Sequence, residues 1–280
     1  MVKGGYFHSV GHTEVEGLRP FLDKISPEID WIRCFPARNV LTAPRPIRSD
    51  QRPPGRQAPA VAEGADVEGL TGPRLAERML QVLRQHHRGP QCGFDFVLLV
   101  DDADCRFRCA PDPERALREW TAELTDKVRE AADKPKLGFH ALLAFPEVEA
   151  WLLADWERGF GGGLYRGIKD PLHRHIRGCV LHPLPWAQLE DFGGQLVNGS
   201  CEHKLSSRLQ AAFHEPGGCR CTPALLEVVA RQPGAPLRYS KKIDGADMLR
   251  RIRPDEVRQF SPRFRAALEG LRRELVRSPA

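Results

Sequence analysis

The stretch FVLLVDDADC, Phe96–Cys105, limits the fold more than any other part of the chain. Five apolar residues in succession, Phe96 to Val100, read as a strand buried on both faces rather than one with a wet side. The run then passes without a spacer into Asp101, Asp102 and Asp104. Carboxylates crowded at the end of a buried strand repel one another unless a positive group, usually a metal ion, sits among them.

The surrounding pattern alternates between strand and helix. A short strand at residues 5–10 precedes a helix from Glu14 to Lys24, with Leu18, Phe21, Leu22 and Ile25 on one face. IDWIRCFPA, Ile29–Ala37, reads as a second strand. Helical spacing resumes over Arg74–Gln85 through Leu75, Met79, Val82 and Leu83, and leads into the strand Phe94–Val100. Pro111–Ala132 reads as a helix capped by Asp112 with Pro113 in its first turn. A strand over Gly138–Pro146 runs directly into a helix starting at Glu147. This order predicts an α/β fold, a mainly parallel sheet flanked by helices. Residues 42–73, rich in proline, glycine and arginine, read as a loop or disordered insertion within an α/β domain spanning 1–157. Residues 158–280 read as a mostly helical region without further strands, with helical patches at Glu202–Phe213, Pro223–Arg231, Asp247–Arg253 and Ser261–Arg277.

Composition narrows the class. The chain has 280 residues, enough for a sizeable core, with 41% hydrophobic and 28% charged residues. A net charge of +5 permits a nucleic-acid partner without requiring one. No run of about 18 apolar residues suggests a membrane span. The first residues contain no apolar signal core, so a cytoplasmic location is the expectation. There the 8 cysteines are expected as thiols rather than a disulfide framework. A zinc site drawn from Cys201, His203, Cys219 and Cys221 is the alternative, although that spacing matches no strong zinc pattern.

Acids stand at three strand ends: Glu14 and Glu16, then Asp101, Asp102 and Asp104, then Glu147 and Glu149. Ligands of open α/β sheets gather at the carboxyl ends of strands. Several carboxylates meeting there would suit Mg²⁺, which takes oxygen ligands and serves phosphodiester cleavage. Each acid taken singly also has a structural explanation, since aspartate favours turns and glutamate favours the first turn of a helix.

Together, VDDAD, the following strand and EAWLLADWE resemble the Toprim-like family DUF4276. There, a D-x-D strand end is followed by a helix of the form E-x-W-L-L-A-D. LRYSKKIDGADMLRRI, Leu237–Ile252, and FSPRFRAALEGLRREL, Phe260–Leu275, resemble the family's closing Tyr–Lys loop and helix. Lys204 resembles its intermediate lysine. The resemblance implies a Toprim-like nuclease that uses Mg²⁺ or Mn²⁺ on DNA or RNA. It also implies an ABC- or AAA-type ATPase partner, because relatives are often encoded beside one and are suspected effectors of defence against phage. Carried across, it makes Asp102, Asp104 and Glu149 metal ligands, with Asp101 as the alternative register of the D-x-D. Trp151 is its aromatic neighbour, read here as core, and Asp155 its trailing acid. Lys204, Tyr239, Lys241 and Lys242 become candidate nucleic-acid contacts. The family's first motif, E-G-x-T-E, stands here as Val10-Gly11-His12-Thr13-Glu14. Its leading glutamate is therefore Val10, and proton transfer falls to Glu14, with His8 and His12 as substitutes. The alternatives are a non-catalytic Toprim-like module that binds nucleic acid or the ATPase, and a nucleotidyl- or phosphoryl-transfer enzyme. An oligomer is compatible with each.

Overall fold

The computed structural model describes residues 2–9, 11–36, 70–87, 93–108, 110–194, 196–197, 200–214, 222–231 and 238–277; within these, the side chains of His12, His86, His87, Leu196, Val197, Ser200, His214, Thr222 and Lys242 are outside the description. Val10, residues 42–69 of the proline-rich stretch, and Cys219 and Cys221 therefore lie outside the described residues.

Four parallel strands, β1 (Val2–His8), β2 (Ile29–Phe35), β3 (Phe96–Asp102) and β4 (Gly138–Ala144), form one sheet in the order β2-β1-β3-β4. The connecting helices are α1 (His12–Ile25) after β1, α2 (Gly72–His87) before β3 and α3 (Pro113–Ala132) between β3 and β4. Asp112 caps α3 by accepting the Arg115 amide at 2.9 Å, and Pro113 opens the helix, where its missing N–H costs nothing. A six-residue helix, α4 (Glu149–Ala154), follows β4.

The apolar run of β3 is explained by its two partners. Phe96, Leu98 and Val100 enter a core with Phe21 and Leu22 of α1. Val97 and Leu99 enter a second core with Leu75 and Met79 of α2 and Val128 of α3. The period-two alternation of a strand thus divides one sequence run between two faces. The chain leaves β1 for β2 on one side and returns to β3 on the other. The strand order reverses there, which opens a crevice at the carboxyl ends of β1 and β3.

The C-terminal part supplies α5 (Lys169–His175), α6 (Leu205–His214), α7 (Thr222–Ala230), α8 (Ala246–Arg251), α9 (Pro254–Phe260) and α10 (Pro262–Arg277). It completes the first core instead of forming a separate one: α8 packs on α1 and α10 on β4. The α10 residues Phe264, Leu268 and Leu271 are fully buried, each worth about 1.5–3 kcal/mol. Trp151 packs between Phe21 and Phe264, with ring centroids 5.6 and 5.0 Å away, and is a core residue.

Two sequence expectations are corrected. A hairpin of Leu196–Val197 and Ser200–Cys201 interrupts the region expected to lack strands. The cysteines are not all thiols: Cys105 is bonded to Cys201 across 96 residues, and Cys179 is also in a disulfide. Local cysteine spacing could not show a bond made by the C-terminal part folding back onto the end of β3. The bond also removes Cys201 from the proposed zinc set. None of the described helices is long and apolar enough to cross a membrane.

Candidate active site

The carboxyl edge of the sheet brings four acids from separate segments into one electrostatic cluster. Glu14 lies in the first turn of α1 and is buried. Its carboxylate folds back over Gly11, where a Cβ would stand 2.1 Å from Oε2, so a side chain there would displace the Glu14 carboxylate. Asp102 ends β3 and accepts the Val148 amide at 2.9 Å, which ties the strand end to the turn after β4. That turn delivers Glu147 and Glu149, both buried. Glu147 is held at both oxygens by Ser206, whose amide and hydroxyl each donate at 2.9 Å.

The counter-charge comes from the distant C-terminal segment. Lys241 Nζ lies 3.2 Å from Glu149 Oε1 and 3.7 Å from Glu147 Oε1. The Tyr239 hydroxyl donates to the same Glu149 oxygen at 3.1 Å. Glu149 Oε2 is buried and has no hydrogen-bond partner among the described residues. The segment is anchored to α1 by Thr13 Oγ1, which donates to the Lys241 carbonyl at 3.2 Å. It is also anchored through Asp244, which accepts from Tyr165 at 3.2 Å and from the Ser240 amide at 2.8 Å.

Among the described residues, one ammonium faces four carboxylates. Burial, reinforced by Glu149, raises the Glu14 carboxyl to about 7. Burial and the charges of Glu14, Glu147 and Glu149 push Asp102 well above the usual carboxylate range. Burial also raises Glu149, against the pull of Lys241. Burial opposes the charge on Lys241, but Glu149, Glu147, Asp102 and Glu14 outweigh it and hold the ammonium protonated. A proton or a cation entering this cluster is therefore favoured.

Asp101, expected among the metal ligands, makes its own contacts with α2 and the turn after β3. As the odd member of the strand alternation it faces α2. Its Oδ2 accepts from Arg106 Nη2 at 2.8 Å and from the Gly72 amide at the start of α2 at 2.6 Å. Asp104 has a left-handed backbone, φ 48°, and lies at the rim, 3.9 Å from Lys204 Nζ. Tyr239 is 1% exposed, so it serves Glu149 instead of meeting a nucleic acid. The Lys242 side chain and Val10 lie outside the described residues, as does the His12 side chain. His8 is buried, with its pKa lowered to about 3 by desolvation, which makes it a poor proton acceptor. Asp155 accepts the Arg253 amide at 2.8 Å and pairs with Arg158, a structural role. Glu16 pairs with Arg250 at the surface.

Ser206 is the residue that sequence reasoning left out of the site, and Glu147 is named there among the strand-end acids without a role of its own. FPEVE, directly after β4, carried the signal for Glu147; nothing local marks Ser206. Among the described residues, no group of three or more histidine, cysteine or carboxylate side chains is arranged to hold a metal ion. The Glu147 and Glu149 oxygens are drawn instead toward Ser206, Tyr239 and Lys241. No family model, curated protein or solved structure matches the chain.

Proposed function

We propose that the acidic cluster binds Mg²⁺ or Mn²⁺ and that the chain hydrolyses phosphodiester bonds of DNA or RNA, as the Toprim-like nucleases it resembles do. The observation that carries this reading is the charge excess: among the described residues, Glu14, Asp102, Glu147 and Glu149 share one ammonium, and a buried Glu149 oxygen has no partner. The donors are all carboxylate oxygens, which fits a hard divalent cation. Asp102 and Glu149 would hold the ion, with Glu147 beside them, Asp104 at the rim and Glu14 left to move the proton. Such an ion stabilises charge on phosphoryl oxygens and makes bound water more acidic. Glu14, titrating near neutrality, accepts a proton from water at working pH. Lys241 and the exposed Lys204 place positive charge where a phosphate would arrive. A nucleic-acid substrate and an ATPase partner of ABC or AAA type follow from the resemblance alone.

One observation favours a second reading. Lys241 already occupies the space between Glu147 and Glu149, as the internal counter-ion of a non-catalytic binding module would. Cleavage of plasmid DNA and of RNA, with Mg²⁺ or Mn²⁺, separates the two. The nuclease reading expects metal-dependent cleavage that falls about 10²–10⁴-fold in Glu14→Gln. Absence of cleavage by the wild type, or equal rates in the variant, removes it; binding without cleavage supports the module.

A further inference from the structure

We infer that the Cys105–Cys201 bond is a thiol–disulfide control on the acidic cluster. The cross-link joins two segments that both carry cluster residues. Cys105 directly follows Asp104, and Cys201 leads through Glu202 and His203 into Lys204 and Ser206. Lys204 is the ion-pair partner of Asp104, and Ser206 holds both oxygens of Glu147. The oxidised bond therefore fixes one segment against two acids of the cluster.

Among the described residues, the start of that segment is held lightly, while its end is anchored by Leu205, fully buried at the start of α6, and by the Ser206 bonds to Glu147. The hairpin that ends at Cys201 has two residues per strand, a size that is marginal without support. The Lys204–Asp104 pair spans 3.9 Å with the lysine half exposed, a geometry that contributes little. The His203 amide donates to the Gly193 carbonyl at 3.0 Å. Gly193 is built around the bond: its φ is 129°, and a Cβ there would lie 2.8 Å from both sulfurs. The sulfurs are covered, Cys105 at 1% and Cys201 at 7% exposure, so a reductant reaches them when the hairpin opens.

The chemistry is a two-electron exchange with a dithiol. Its thiolate attacks one sulfur to form a mixed disulfide. Its second thiol then displaces that link and leaves as a disulfide, while Cys105 and Cys201 take up two electrons and two protons. With the tie cut, the segment entering α6 loosens at its start, and Asp104 loses its fixed partner while Glu147 is held through Ser206 alone.

Hydrogen exchange read by mass spectrometry tests the coupling on the full chain, before and after dithiothreitol. Reduction should speed exchange over residues 200–206, which include the Ser206 amide, at least tenfold and leave β1, β3 and β4 unchanged. Cys105→Ser should show the faster exchange without reductant and no further response there, which separates this bond from that of Cys179. Cys201→Ser serves the same purpose should the first variant not fold. Unchanged exchange at 200–206 on reduction overturns the inference. So does faster exchange throughout the sheet, which marks a staple of the whole fold, or free Cys105 and Cys201 thiols in the oxidised protein. Any effect on cleavage rests on the phosphodiester reading, but the exchange measurement does not, so the two fail separately.

Discussion

Asp101 and Asp102 are neighbours on one strand and meet opposite fates. Asp101, on the α2 face, has an arginine 2.8 Å away and a helix amide at 2.6 Å. Asp102, on the α1 face, has one backbone amide and three neighbouring acids that share Lys241. The first face holds a close ion pair, although Asp101 Oδ1 and Arg106 Nη1 lack hydrogen-bond partners among the described residues. The second gathers four acids around Lys241, and burial raises Glu14, Asp102 and Glu149, so a proton or a cation is favoured there. The difference teaches that an acidic motif at a strand end is two features, divided by the pleat.

Breaking the close ion pair should have the largest effect. Arg106→Ala leaves Asp101, fully buried, without its counter-charge, and should cost about 3–5 kcal/mol in urea unfolding. Divalent cations should not restore it. On the other face, Lys241→Met removes the shared ammonium, but its side chain is 33% exposed, so the cost falls to about 2 kcal/mol. Saturating Mn²⁺ should recover much of that loss, since binding at about 100 times Kd adds about 2.7 kcal/mol. Equal losses with and without Mn²⁺ would erase the contrast between the faces. Ser206→Ala, which deletes one of two donors to Glu147, should cost about 1 kcal/mol.

The pH dependence is the subtlest difference. Glu14 titrates at about 7 in the fold and near 4.5 in the unfolded chain; Asp101 titrates at about 6 against 3.8. Between each pair of values the folded state holds more protons. These two groups therefore make stability fall as pH rises, through about 4.5–7 for Glu14 and 3.8–6 for Asp101. Thermal unfolding across this range should lose the upper part of the slope in Glu14→Gln and the lower part in Asp101→Asn. Mn²⁺ should flatten only the Glu14 part.

The strand–helix order and the acids at strand ends were legible because buried strands leave continuous apolar runs. The separation of Asp101 from Asp102 was legible in principle too, since Leu98, Val100 and Asp102 share a parity. What selects the paired face is Arg106, and only the turn after β3 brings it round. Lys241, Tyr239 and Ser206 reach the cluster from residues far along the chain, through packing of α6 and α8 that local periodicity does not encode. The Cys105–Cys201 bond was hidden for the same reason.

The proposed cation site is on the α1 face and not on the α2 face. Calorimetric titration of Mn²⁺ into the wild type, Asp102→Asn and Asp101→Asn tests it directly. The account predicts saturable binding by the wild type and by folded Asp101→Asn, and its loss in Asp102→Asn. No binding by the wild type, or undiminished binding by Asp102→Asn, would contradict it.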